Sequence, residues 1–438
     1  MNNNLVVKEV QYLITCNSED QILENVTLVI RDGLISEINP TSLPADLAQF
    51  DIINGSGKLL MPGLINTHTH LPMVLLRGWA EGVNLQQFLE KVWIAEGAIM
   101  DADSCALGAE LGAGEALLSG TTTVLDMYFH AGATHKAAME VGLRHIGGPI
   151  FFDFPAVDGL EWNERLDLAR TWPAVHSEIG GPFTPIYLMP HSVYTDSPEH
   201  LREVAALGKE LNARIHLHVS ETKNENDISL ERYSKTPTEV IRDAGILDLP
   251  TTYGHGVHLS DSDLEISLRH GASIAHCPGS NLKLGSGILD LKKYQDAGLV
   301  VGLGTDGCSS SNDLDMWAVI RLAAQIVSLS HSPAEVDLRR VIRAATIDGA
   351  IAVGMEDRIG SIEIGKEADL LLLDLSALHL IPIHNVMATL VFAAGRGDVT
   401  DVWVRGERVV NDRKLVKVDS TALRIRVEER MKALDPFR

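Results

Sequence analysis

Two kinds of hydrophobic patterning divide the chain. At both ends, short β-rich runs alternate with turn residues. The stretch "NVTLVIRDGLISEI" is two such runs joined by Asp32-Gly33, a strong hairpin signal. Towards the other end "ADLLLLDL", "DVWVRGERVV" and "RKLVKV" repeat the pattern, with Gly406 and Asn411-Asp412 at the turns. Together these runs predict one small sheet domain built from residues 1–60 and 363–438. The stretch "STALRIRVEERMKAL" has apolar residues at helical spacing and predicts a final helix lying on the surface.

Between residues 61 and 362 the pattern changes. Short apolar strands ("TTTVLDMY", "PIYLMPHS", "RIHLHVSE", "ASIAHCP", "VVGLGTD") are separated by helical stretches such as "DSCALGAELGAGEALLSG", "PEHLREVAALGKELN" and "SDSDLEISLRHG". Strand–helix repetition at this spacing predicts an α/β fold with a parallel sheet. Some eight such units suit a (β/α)8 TIM barrel. An open doubly wound sheet is the alternative, but no Gly-x-Gly-x-x-Gly follows the first strand of this region.

Catalytic residues of such a barrel sit at the C-terminal ends of its strands. The strand ends here are rich in ligands. "PGLINTHTHLPM" carries His68 and His70 two apart, so that in an extended strand both rings face one point. "PIYLMPHS" ends in His191, "RIHLHVSE" carries His216, His218 and then Glu221, and "TTYGHGVH" brings His255. "ASIAHCPGSN" brings His276 and "VVGLGTDG" brings Asp306. A bare His-x-His is commonly a solvated turn. Six strands ending in His, Glu or Asp point instead to a metal hydrolase.

Catalytic zinc takes three protein ligands or so and keeps a position for water. His68, His70, His218 and Asp306 supply three nitrogens and a carboxylate. A divalent ion there lowers the pKa of bound water towards neutrality. Glu221, just beyond His218, is placed to shuttle a proton. His255 is read as holding the attacking water, and His191 as stabilising bound substrate. His216 reads as packing behind the ligands, His276 as structural in a turn, and Cys308 as a small buried thiol. Glu96, in "VWIAEGAIM", reads equally as a solvated helix charge or a substrate contact.

Composition narrows the partners. Over 438 residues, 45% are hydrophobic and 22% charged, enough for a large core. The net charge of −22 disfavours nucleic acid and anionic membranes. The start "MNNNLVVKEVQYLI" has neither a basic n-region nor a long apolar core, and no segment has the uninterrupted apolar length to span a bilayer. Cys16, Cys105, Cys277 and Cys308 lack paired spacing, as reduced thiols of a cytoplasmic protein would. A cytoplasmic location is therefore expected; a homo-oligomer is expected as well, though composition does not set the number of subunits.

The stretches "MPGLINTHTHLPMVLLRG", "VWIAEG", "LMPHSVYT", "IHLHVSET", "GHGVHLS", "IAHCPGSNLKLGSGI" and "VGLGTDGCSSSNDLDM" resemble the amidohydrolase superfamily. Within it they resemble the methylthioadenosine/S-adenosylhomocysteine deaminase branch, relatives of the triazine hydrolases. The resemblance implies a metal-bearing barrel plus a sandwich from both termini. It maps the metal onto His68, His70, His218 and Asp306, and substrate contacts onto Glu96, His191 and Glu221. The implied catalytic set is Glu221, His255 and Asp306. No strand end read here offers a bridging lysine, so one metal per chain is expected, zinc by default and Fe2+ as the alternative. The implied reaction is hydrolytic deamination of 5′-methylthioadenosine, S-adenosylhomocysteine or adenosine to the inosine analogue and ammonia. The competing readings are deamination or dechlorination of guanine, a pterin or a triazine, and a metal-free scaffold without catalysis.

One departure bears on the substrate. Members accepting S-adenosylhomocysteine are expected to present a basic residue, often arginine, after the third strand. Here that region reads "GLRHIGGPIFFDFPAVDG". Arg144 comes early, and Phe151, Phe152 and Phe154 follow, as an apolar wall or as a buried strand. The wall reading predicts that methylthioadenosine or adenosine is preferred over S-adenosylhomocysteine.

Overall fold

The central strands are runs of Thr, Val, Ile, Leu and His that are buried on both faces, the mark of a parallel sheet covered on both sides. The computed structural model describes residues 3–180 and 184–437. Eight strand positions follow one another around the barrel. These are Leu64–Thr69, Thr121–Asp126, Arg144–Gly147 (continuing as Ile150–Phe151), Tyr187–Pro190, Arg214–Val219, Thr251–His255, Ser273–His276 and Val300–Leu303. Each pairs in parallel with the next.

The eighth strand closes against the first through side chains. Thr67 Oγ1 donates to the Leu303 carbonyl at 2.9 Å, and Asn66 Nδ2 donates to Thr305 Oγ1 at 2.7 Å. A Cβ at Gly302 would stand 2.4 Å from Thr67 Cγ2, so the seam requires glycine there. Gly148 plays the same part between the third and fourth strands, where a Cβ would lie 2.1 Å from the Tyr187 carbonyl oxygen.

Helices cover the barrel between strands. Those predicted from pattern are present as Ala102–Leu118, Pro198–Leu211 and Asp261–His270. Ser260 and Asp263 form a capping box at the start of the last of these, and Ser197 caps the second. One further helix, α1 (Leu85–Ile99), follows the first barrel strand and turns Phe88, Val92, Ala95, Glu96 and Ile99 inward.

The two ends of the chain share a nine-stranded sheet. Asp32 and Gly33, both at positive φ, make the expected hairpin turn between Ile22–Arg31 and Leu34–Ile38. Strand Lys58–Pro62 joins the halves, parallel to Leu5–Ile14 and antiparallel to Leu370–Asp374. The sheet curls so that Val7, Leu13 and Leu28 from one end share a core with Leu370, Leu372 and Trp403 from the other. The final helix Ser420–Met431 lies on the surface, tied by Arg430 to Asp101 at 2.8 Å.

Arg144 fastens the barrel to this sheet. It is fully buried and donates to Asp369 at 2.9 and 3.0 Å and to Glu367 at 2.5 Å. All four cysteines are buried and unpaired. Among the described residues no helix is long and apolar enough to cross a membrane.

Candidate active site

Strand ends on one face of the barrel bring five side chains to a single point. The ligating atoms of His68, His70 and Asp306 lie within 4.8 Å of one another, as do those of His68, His218 and His255. His68 belongs to both sets. Its ring centroid lies 4.8 Å from that of His70, 5.0 Å from His218 and 5.2 Å from His255.

Each imidazole is oriented by what its Nδ1 meets. His70 Nδ1 donates to the Met127 carbonyl at 2.5 Å, and His218 Nδ1 to the His191 carbonyl at 2.9 Å. His255 Nδ1 donates to Asn281 Oδ1 at 2.9 Å. For His68 the partner is another ring: His216 Nδ1 donates to the Thr252 carbonyl at 2.8 Å, which leaves His216 Nε2 to accept from His68 Nδ1 at 2.7 Å. All four rings are thereby held in the Nδ1–H tautomer with an Nε2 lone pair free, the arrangement that orients metal-ligating histidines.

The fit to a cation rests on one atom in particular. His68 is wholly buried, and its Nε2 has no hydrogen-bond partner. An orphaned buried acceptor of this kind is costly unless something electropositive faces it. Asp306 Oδ1 lies 3.5 Å from His68 Nε2 and 3.2 Å from His70 Nε2. Asp306 Oδ2 accepts from Ser280 Oγ at 2.6 Å and Ser310 Oγ at 2.8 Å. Burial opposes its charge, but the imidazoles of His68, His70 and His255 that face it hold the carboxyl well below its usual range. Burial likewise opposes a charge on His70, yet Asp306 raises that ring to about 9. The same field favours a divalent ion, which would take the place of a proton at His70 Nε2. Burial lowers His68 to about 4 and His218 well below the ordinary histidine value, so both stay neutral and able to ligate.

Backbone strain marks the same place. His255 and Asp306 sit at φ 70° and 63°, in the left-handed region. Such conformations cost about 1–3 kcal/mol each and persist where surrounding structure enforces them.

Glu221 lies beside this cluster, 4% exposed, with Oε2 3.8 Å from His255 Nε2. Ser286 Oγ donates to its Oε1 at 3.0 Å. Burial raises the Glu221 pKa, the direction a proton shuttle requires. The backbone amides of Ser220 and Glu221 are held by the Glu225 carboxylate at 2.9 and 2.7 Å.

A cavity opens onto these groups. His191 lines it just past the fourth strand, stacked on Phe152 at 4.7 Å, and burial lowers its pKa to about 3. Glu96 lines it from α1 and is 2% exposed. It accepts from Tyr128 OH at 2.6 Å, and burial raises its pKa to about 7. The reading of Glu96 as a solvated helix charge is thereby excluded.

The structure therefore gathers His68, His70, His191, His218, Glu221, His255, Asp306 and Glu96 around one cavity. Of the three phenylalanines in the proposed wall, Phe152 lines the cavity and Phe154 packs on it at 5.4 Å. Phe151 turns the other way, onto Trp162, because neighbours in an extended strand face opposite sides. His276 ends the seventh strand rather than lying in a turn; it is buried, and neither ring nitrogen has a partner. Cys308 is buried and its thiol pushed far up, so it is no nucleophile.

Sequence reasoning missed Ser280, Ser286, Asn281 and Tyr128, which hold Asp306, Glu221, His255 and Glu96. Three of them fall in "PGSNLKLGSG" after the seventh strand, where only their place in a strand-end loop was a signal.

Comparison with known proteins agrees with this architecture. Residues 59–409 match the amidohydrolase family. This chain belongs to that family. A curated 5-methylthioadenosine/S-adenosylhomocysteine deaminase of Thermoanaerobacter pseudethanolicus is 37% identical over 98% of this amidohydrolase and 99% of its own length. One from Pyrococcus furiosus is 38% identical over 90% and 92%. The crystal structure of an adenosine deaminase from Xanthomonas campestris with bound zinc superposes with TM-score 0.92 at 34% identity, covering 99% of both chains. An atrazine chlorohydrolase from Arthrobacter aurescens has the same fold, with TM-score 0.87 at 24% identity over 98% and 100%. A barrel amidohydrolase with this donor set takes a divalent metal.

Proposed function

We propose that this amidohydrolase deaminates an adenosine-type nucleoside (5′-methylthioadenosine, S-adenosylhomocysteine or adenosine) to its inosine analogue and ammonia. The observation that carries the reading is the pairing of Glu221 with the His68–Asp306 cluster at one end of a cavity that holds His191 and Glu96 along its wall. Near-full-length similarity to curated deaminases supports the nucleoside class.

His68, His70, His218 and Asp306 are assigned as the ligands of one ion. We take zinc as that ion, with Fe2+ as the alternative, since nitrogen and carboxylate donors suit both. The ion supplies Lewis acidity and an activated water at neutral pH. Glu221 takes one proton from the attacking water and gives it to the ring nitrogen beside the amino-bearing carbon; it then carries the second proton, from the hydroxyl now on that carbon, to the amine as the C–N bond breaks and the C=O bond forms. Burial raises its pKa, the direction that two-way transfer needs. His255 holds the attacking water against the ring, its orientation fixed by Asn281. Neutral His191 hydrogen-bonds the purine, and Glu96 accepts from the sugar hydroxyls.

Purified protein loaded with zinc and screened for ammonia release decides the class. Turnover of adenosine, methylthioadenosine or S-adenosylhomocysteine is expected. Turnover restricted to guanine, a pterin or a triazine would replace the nucleoside reading, and no turnover after metal loading would favour a scaffold without catalysis.

A further inference from the structure

Which 5′ substituent the nucleoside carries is decided at the mouth of the cavity, where Trp93 lines the wall and Phe154 packs against Trp93. Trp93 is on α1, one turn before Glu96 and on the same face. Phe154 follows the third barrel strand. Their ring centroids lie 6.3 Å apart at 64°, and they are 39% and 41% exposed. Phe154 rests on Phe152, and Phe152 on His191, so an unbroken aromatic series runs from the inner wall to the rim.

The charges of the cavity are one-sided. Its acidic lining groups are Glu96, Glu221 and Asp306, and among the described residues no lysine or arginine lines it. The arginines nearest in sequence are committed elsewhere. Arg165 stands behind Phe152, 1% exposed, with Asp158 accepting from both Nη1 and Nη2 at 2.9 and 2.8 Å and Ile150 O accepting at 3.2 Å. Arg144 is tied to Glu367 and Asp369 at the foot of the barrel. Lys223 lines a neighbouring groove that shares only Leu85 and Leu284 with the cavity.

With the purine's amino carbon at the His68–Asp306 cluster and the sugar beside Glu96, the inner end is filled, and the 5′ carbon points outward past Glu96. We infer that Trp93 and Phe154 clamp the 5′ group, and that the clamp selects a neutral alkylthio substituent over one ending in an amino acid. This inference rests on the nucleoside reading above. A thioether sulfur makes favourable contacts at aromatic edges. A carboxylate brought to the same place would lose water beside Glu96 with no lysine or arginine to pair it.

The test sets adenosine, methylthioadenosine and S-adenosylhomocysteine side by side on the wild-type enzyme and on Trp93→Ala and Phe154→Ala. Both side chains are substantially exposed, so the variants are expected to fold, which thermal unfolding checks. Wild type should show kcat/KM for methylthioadenosine at least about tenfold above S-adenosylhomocysteine, a difference of the size pocket contacts commonly produce. Each variant should lower the ratio of methylthioadenosine to adenosine by about tenfold. Equal losses on both substrates would overturn the clamp. So would a wild-type preference for S-adenosylhomocysteine, and its abolition by Lys223→Ala would seat the tail in the adjacent groove instead. If no nucleoside is deaminated, the activity reading fails separately, and dissociation constants of the three compounds still decide whether the clamp binds.

Discussion

His216 Nε2 accepts a hydrogen bond from His68 Nδ1 at 2.7 Å, one layer below the cluster of His68, His70, His218, His255 and Asp306. His216 touches no substrate-facing surface, being wholly buried, and acts through the tautomer and orientation of His68. Partners of this kind typically change metal affinity by about 10–100-fold when removed. His216→Phe should therefore weaken metal binding by that order, read by competition with a chromogenic chelator. Saturating metal should recover most of the activity. Unchanged affinity would reduce His216 to packing.

The ligand assignment predicts about one divalent ion per chain by elemental analysis. His218→Ala should lose both the ion and activity, because the remaining donors form an incomplete set. Exhaustive chelation should abolish turnover and re-addition of zinc restore it. Two tightly held ions per chain, or full activity after chelation, would contradict the single-site reading.

Much of this site was legible in the chain because strand ends are marked twice, by the apolar run that precedes them and by the ligand that terminates them. His68, His70, His218 and Asp306 carry both signals. Residues acting across the barrel carry neither. Ser280 reaches Asp306 from the short helix Pro278–Lys283 and Ser310 from the turn after the eighth strand, and a serine in either place has many ordinary uses. Arg144 was read as coming early for a substrate contact, but what it does instead was hidden, since its partners Glu367 and Asp369 lie more than 220 residues away in the terminal sheet. Helix α1 shows the limit of periodicity. Its pattern indicates one inward face, but not that Glu96 and Trp93 border a cavity rather than a core. The misplacement of Phe151 was avoidable, since strand alternation alone separates it from Phe152.

Proton transfer gives a sharper test of Glu221. Glu221→Gln preserves shape and can still accept from Ser286, but it cannot carry a proton. Turnover should fall at least about a hundredfold with the metal retained. Loss of metal in proportion to loss of rate would make Glu221 a ligand instead.

Glu96 links function to a stability cost with a definite pH dependence. Burial raises its folded-state pKa to about 7, from 4.5 for an exposed carboxyl, against the pull of the Tyr128 hydrogen bond and the His70 charge. Between those two values the unfolded chain has released the proton while the folded chain keeps it, so stability declines as pH rises from 4.5 to 7 and levels off above. The full penalty at higher pH is about 3 kcal/mol. Glu96→Gln keeps an acceptor for Tyr128 and removes the penalty. The variant should match wild type in thermal unfolding at pH 4 and exceed it at pH 8. The same variant should raise KM, because an uncharged amide is a weaker acceptor for sugar hydroxyls. A gain in stability at pH 8 with KM unchanged would leave Glu96 buried for a reason other than substrate.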